Sequence, residues 1–164
     1  MRRLGQSLFR TLVIATFALW FGGFTFYVSF VVPVGSEVLG SDRAQGFITQ
    51  QVSHWLNVVS AFAIVIMLLE TVRGRLVAAK RACRTELVML VLMGAFLIAL
   101  IWIHPIMDEM IDVEKRSISN RSRFYGFHRV YLWFSTFQWM FGWVWLFMAV
   151  LRWQNESDQN RQNS

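Results

Sequence analysis

The chain has one cysteine, two prolines and three histidines in 164 residues. A lone thiol, Cys83, excludes an internal disulfide and a thiolate metal cluster. The histidines form no tight ligand signature of the H-E-x-x-H kind. Acidic residues number 10 against 16 basic ones. Charge is missing from long stretches, the longest lying between Arg10 and Glu37. There is no internal repeat, no linker and no composition break that would mark a second domain. What fills the chain instead is apolar: 55% of residues are hydrophobic, with 15 Phe and 8 Trp. A soluble domain of this length does not hide so much apolar surface.

Charge-free gaps of about 20 residues are what a helix needs to cross about 30 Å of hydrocarbon. Four such spans are predicted, about 12–34, 54–72, 87–105 and 127–151. With short connections they imply an all-α, membrane-embedded antiparallel four-helix bundle within a single domain, 1–151. The segment between spans one and two has room for a short interfacial helix. The tail 152–164, with "QNESDQNRQNS", is polar and expected to be disordered. The basic start "MRRLGQSLFR" resembles a signal peptide, but the apolar run after it is too long and too aromatic for cleavage. It is read as a retained span.

Lys and Arg placement sets the orientation. Ten basic residues fall on one side, at the N-terminus, in the dense loop "RGRLVAAKRACR" and after span four. Six fall on the other: Arg43, Lys115, Arg116, Arg121, Arg123 and Arg129. Both termini are therefore expected in the cytoplasm, in a plasma membrane or bacterial inner membrane. The basic balance follows from topology and attraction to anionic headgroups and calls for no nucleic-acid partner.

Within the spans some faces are not apolar. Span one carries Ala15, Ala18, Gly22, Thr25 and Ser29 at helical spacing, a small face along which another helix is expected to pack. In span two His54 and Asn57 share a face, with Ser60 beside it. In span four the seam is His128, Tyr131, Ser135, Gln138 and Gly142, continuing to Trp145 and Ala149. Amides in hydrocarbon need protein partners, and Thr25, Ser29 and Ser60 lie at depths suited to Gln138. The seams read first as packing devices that fix helix rotation and second as a polar lining.

His54 opens span two, His104 closes span three and His128 opens span four, so all three are expected at the outer end of the bundle. Pro105 follows His104 and is expected to end or kink its helix, with Asp108, Glu109 and Asp112 just beyond. Imidazoles near carboxylates are ligands for transition metals, and histidines on two helices can hold a haem b. His54 with His128 is the pair expected to face inward. No cofactor is firmly implied.

The chain resembles the transmembrane protein 205-like family, described as domain of unknown function 4149. The resemblance is carried by "LWFGGFTFYVSFVVP", "QGFITQQVSHWLNVVSAF", "IWIHPIMDEM" and "RFYGFHRVYLWFSTFQ", in that order and spacing, over nearly the whole chain. His128 matches the family's fourth-span histidine and His54 a second-span position. The sequence "ITQQVS" stands where the family usually has a phenylalanine-proline. The resemblance implies a four-span integral membrane protein and brings no reaction with it.

Two functions compete. One is a non-enzymatic membrane subunit, transport-related or complex-forming, working as a homo-oligomer or with a partner subunit. The aromatic residues Trp133, Phe137, Trp139 and Trp143 would face that partner or lipid. The alternative is a metal- or haem-binding redox protein using the outer histidines. An intramembrane hydrolase finds little support: Ser135 and His128 lie about 10 Å apart along one helix, too far for a nucleophile and its base, and Glu70 and Glu86 sit at the opposite end.

Overall fold

The structure, a computed structural model, describes residues 2–75, 80–112 and 117–162. Residues 76–79 of the basic loop, Lys115 and Arg116 lie outside the described residues. The chain forms α1 (Arg2–Phe26), a π turn (Tyr27–Val31), α2 (Val32–Leu39), α3 (Asp42–Arg75), α4 (Lys80–Asp108), a two-residue strand pair β1 (Ile111–Asp112) and β2 (Ser117–Ile118), and α5 (Arg121–Gln162). Four helical segments are long and apolar enough to cross a membrane: Leu4–Leu39, Asp42–Arg75, Cys83–Asp108 and Arg121–Gln159. The fold is an all-α four-helix bundle.

Local chemistry sets the ends. Pro33 cannot donate to the carbonyl one turn back, and the wider π turn directly precedes α2, so the helix passes the proline without breaking. Gly40 stops α2 in the left-handed conformation, φ 64°, where a side chain would be strained. Ser41 then caps α3 through the Ala44 amide, and Ser36 of α2 hydrogen-bonds Asp42 across the turn. Asn120 caps α5, accepting from the Arg123 N–H at 3.1 Å.

The layout differs from the expected one in three places. The segment between spans one and two is not a separate interfacial helix; it is absorbed into α2 and the first turns of α3. The tail is not disordered up to Gln162; α5 continues through it. Arg152 and Glu156 form an i,i+4 ion pair and Trp153 is buried, so the tail is packed as far as Glu156, while Ser157, Asp158, Gln159, Arg161 and Gln162 are exposed. Nor does Pro105 end its helix: α4 runs on to Asp108.

Around the bundle, α1 and α2 pack on α3, α3 on α4 and α4 on α5. Aromatic rings close the gap between α1 and α5. Phe21 stacks on Trp139 at 4.8 Å between centroids and meets Trp143 edge-on at 4.9 Å, while Phe17 stacks on Trp145 at 6.4 Å. The main core joins Val13, Phe17 and Trp20 of α1 to Ala63, Met67, Leu90, Met93, Trp145 and Ala149.

The small face of span one is not where the bundle packs. Ala15, Ala18, Gly22 and Ser29 are exposed, and Thr25 is half-buried. A Cβ at Gly22 or Gly23 would have nothing within 4 Å. The helix is rotated so that its large residues Phe17 and Trp20 point inward, where their rings pack against Trp145 and over Gly142. The close approach between helices occurs on α5 instead: a Cβ at Gly142 would stand 2.7 Å from the Trp20 ring.

Candidate functional site

Two polar clusters lie at opposite ends of the bundle. At the histidine end, α3, α4 and α5 meet. Asn57 donates through Nδ2 to the Tyr131 hydroxyl at 3.0 Å, and that hydroxyl lies 3.3 Å from Asn57 Oδ1. Both side chains are buried. Beside them, His104 Nδ1 is 2.9 Å from Asp108 Oδ2, and its Nε2 is 3.1 Å from the Gln50 carbonyl. Gln50 Nε2 donates to Asp108 Oδ1 at 2.8 Å. Gln50, His104 and Asp108 thus close a ring between α3 and α4.

The histidine pair differs from the one expected. His54 meets His104, with ring centroids 6.3 Å apart, and Tyr131 lies 6.3 Å from His104 on its other partner helix. His128 instead stacks on Phe124 one turn earlier, 6.0 Å away and nearly parallel. One turn of α5 is enough to carry His128 outward past the pair. Among the described residues, no group of three or more His, Cys, Asp or Glu is arranged to hold a metal ion. The donor set fits a metal or haem poorly, since both His104 nitrogens already face oxygen.

Deeper in the bundle the seam of α5 is buried at Tyr131, Ser135, Gln138, Gly142, Trp145 and Ala149. Ser135 donates to the Tyr131 carbonyl at 2.9 Å. Gln138 donates to the Met93 carbonyl of α4 at 3.2 Å, not to a hydroxyl of spans one or two. Thr25 is taken by Trp139, whose indole N–H reaches it at 3.0 Å. Ser60 is buried with its hydroxyl unpaired among the described residues.

The second cluster was read from the sequence only as boundary charge. Arg152 lies at its centre, 3% exposed. Its Nε and Nη2 bind the two oxygens of Glu86 at 2.8 and 3.2 Å, a bidentate fork. Its Nη1 reaches Glu156 at 3.1 Å and Glu70 at 3.5 Å. Arg10 of α1 pairs with Glu156 and stands 3.8 Å from Glu70. Neutral donors complete the set: Thr71 to Glu86 at 3.0 Å, Trp153 to Glu70 at 2.8 Å, and Trp145 to Thr71 at 3.0 Å. Gly74 makes room, since a Cβ there would overlap the Arg152 guanidinium. Every one of the four long helices contributes a charge. The signal in the sequence was that Glu70, Glu86 and Arg152 are the charges closest to three apolar runs.

Chemically, both clusters are nearly closed; the exception is Arg10 Nε, buried with no hydrogen bond among the described residues and 3.8 Å from Glu70. Donors and acceptors answer one another across helices, and Ser135 is tied to its own backbone. No family model, curated protein or solved structure matches the chain.

Proposed function

We propose that the chain is a non-enzymatic membrane subunit that assembles with a neighbouring transmembrane helix, in keeping with its resemblance to the transmembrane protein 205-like family. Four long apolar helices support the membrane setting. One observation carries the assembly reading. The small residues Ala15, Ala18, Gly22 and Ser29 lie on the outside of α1, and the space above Gly22 and Gly23 is open. Glycine costs a helix about 1 kcal/mol against alanine and gives lipid little to contact. In a membrane, small residues at an outer face let a second backbone approach closely. Most of the internal polar groups are bonded to one another, Ser60 excepted, which supports a scaffold over a reaction centre.

The test is cross-linking in native membranes. In a Cys83→Ala background, Gly22→Cys is expected to give a cross-linked product whose mass tells a second copy from another subunit. Val65→Cys, exposed on α3, is expected to give none. No product from Gly22→Cys would overturn the reading. The basic-residue asymmetry supports cytoplasmic termini in a plasma or bacterial inner membrane. A reporter fused after Gln162 is expected to read cytoplasmic and one near Asn120 extracytoplasmic; the reverse pattern would overturn that orientation.

A further inference from the structure

Hydrogen bonds and ring contacts put Asn57, His54, His104 and Tyr131 at one depth across α3, α4 and α5. Three indoles sit at that level. Trp55 follows His54, Trp102 precedes His104 by two residues and Trp133 follows Tyr131 by two, each offset about 3 Å or less. All three are exposed, at 66%, 70% and 58%. Exposed indoles ringing a bundle at one depth mark a membrane–water interface, because the ring prefers the boundary and its N–H stays wet.

On α5 the residues Arg129, Trp133 and Phe137 follow at a spacing of four, each step turning the face by only about 40°. This is one exposed stripe, a cation outward of two rings, with Trp133 stacked on Phe137 at 5.8 Å. Among the described residues, Arg121 and Arg129 make no ion pair or hydrogen bond through their side chains. Arg123 lies about 120° around α5 from Arg129, its guanidinium 5.7 Å from the Phe127 ring centroid. Arg129 stands about 6 Å outward of Trp133 by helical rise, at phosphate depth. Below it the stripe continues as exposed apolar surface through Met140 and Val144.

We propose that this stripe is a binding site for an anionic phospholipid, with its phosphate on Arg129 and an acyl chain along Trp133 and Phe137. The charge is complementary, the cation is unpaired, and the ring below it stands at the acyl boundary. A guanidinium forks onto a phosphate diester, and a headgroup with no ammonium of its own leaves that attraction uncancelled. The inference rests on the membrane setting and is independent of the α1 assembly face.

The test is native mass spectrometry of the full chain in detergent, titrated with phosphatidylglycerol, phosphatidylcholine or glycerol phosphate. The first phosphatidylglycerol is expected to bind more tightly than phosphatidylcholine, and glycerol phosphate not at all. Arg129→Gln is expected to weaken phosphatidylglycerol binding about fivefold, the worth of one basic residue near an anionic surface. Arg123→Gln removes the same charge from the other face and is expected to leave binding unchanged. Arg129→Lys, keeping the charge, is expected to lose less than Arg129→Gln. Equal binding of the two lipids would overturn the proposal and leave the stripe to an acidic protein surface. Equal losses in the 129 and 123 Gln variants would overturn it as bulk charge, and binding of glycerol phosphate alone as a free-phosphate site.

Discussion

Arg152→Met tests the charge cluster most directly. The substitution keeps an unbranched chain of similar reach and removes the guanidinium. Glu86 is 0% exposed and would lose both of its charged contacts, keeping the Thr71 hydroxyl. Glu70 would keep Trp153 and its longer approach to Arg10. Leaving a buried charge without its partner costs about 3–5 kcal/mol, whereas replacing both members of the pair by apolar residues is close to neutral. Reversible unfolding in mixed micelles of rising denaturing-detergent content measures the loss. Arg152→Met is expected to fall in that range, and Arg152→Met with Glu86→Met to recover most of it. A double-mutant cycle should return a coupling above about 1 kcal/mol. A single variant within about 0.5 kcal/mol of the parent, or additive losses in the double, would refute the account of the cluster as a buried, mutually dependent network.

Gly142→Ala is expected to destabilise the bundle by about 1–3 kcal/mol in the same assay, because its Cβ meets the Trp20 ring at 2.7 Å. Gly22→Ala, with open space above it, should leave stability unchanged or slightly raise it. Tyr131→Phe strands the buried Asn57 amide and should cost about 1–3 kcal/mol, while Tyr131→Phe with Asn57→Leu should recover much of that.

The four spans were legible because hydropathy over about 20 residues is an average, and averages survive local exceptions. Helix rotation is not an average, and α1 shows how it was misjudged. A face of Ala15, Ala18 and Gly22 matches the rule that small residues let helices approach. The rule does not say which neighbour approaches. Phe17 and Trp20, on the other side of the helix, supply the ring area that fills the gap to α5. On α5 the rotation was legible, because there the polar residues and Gly142 share the face that is buried. The charge cluster was illegible for a different reason. Charges at span ends are ordinarily solvated, and topology alone accounts for them. Only the bidentate geometry between Arg152 and Glu86 separates a structural pair from boundary charge. His128 was misplaced by one turn: Tyr131, not His128, reaches α3 and α4.

The spacing between the two clusters follows from the bilayer. From His54 to Glu70 is sixteen residues along α3, about 24 Å; from His104 back to Glu86 is eighteen along α4, about 27 Å; from Tyr131 to Arg152 is twenty-one along α5, about 31 Å. Each is close to one hydrocarbon thickness, about 30 Å. Between the clusters the core is Phe17, Trp20, Met67, Met93, Trp145 and their neighbours. Lipid tails and such side chains are equally apolar, so that middle layer gives the helices little reason to choose one rotation over another. Polar groups at the two ends supply the reason. A helix turned by one residue would leave Asn57 without Tyr131 at one interface and Glu86 without Arg152 at the other. Because the penalties fall at both ends of the same rigid helices, a rotation that satisfies one cluster must satisfy the other. The bundle is therefore specified by its two polar ends, and the apolar layer between them only has to fit.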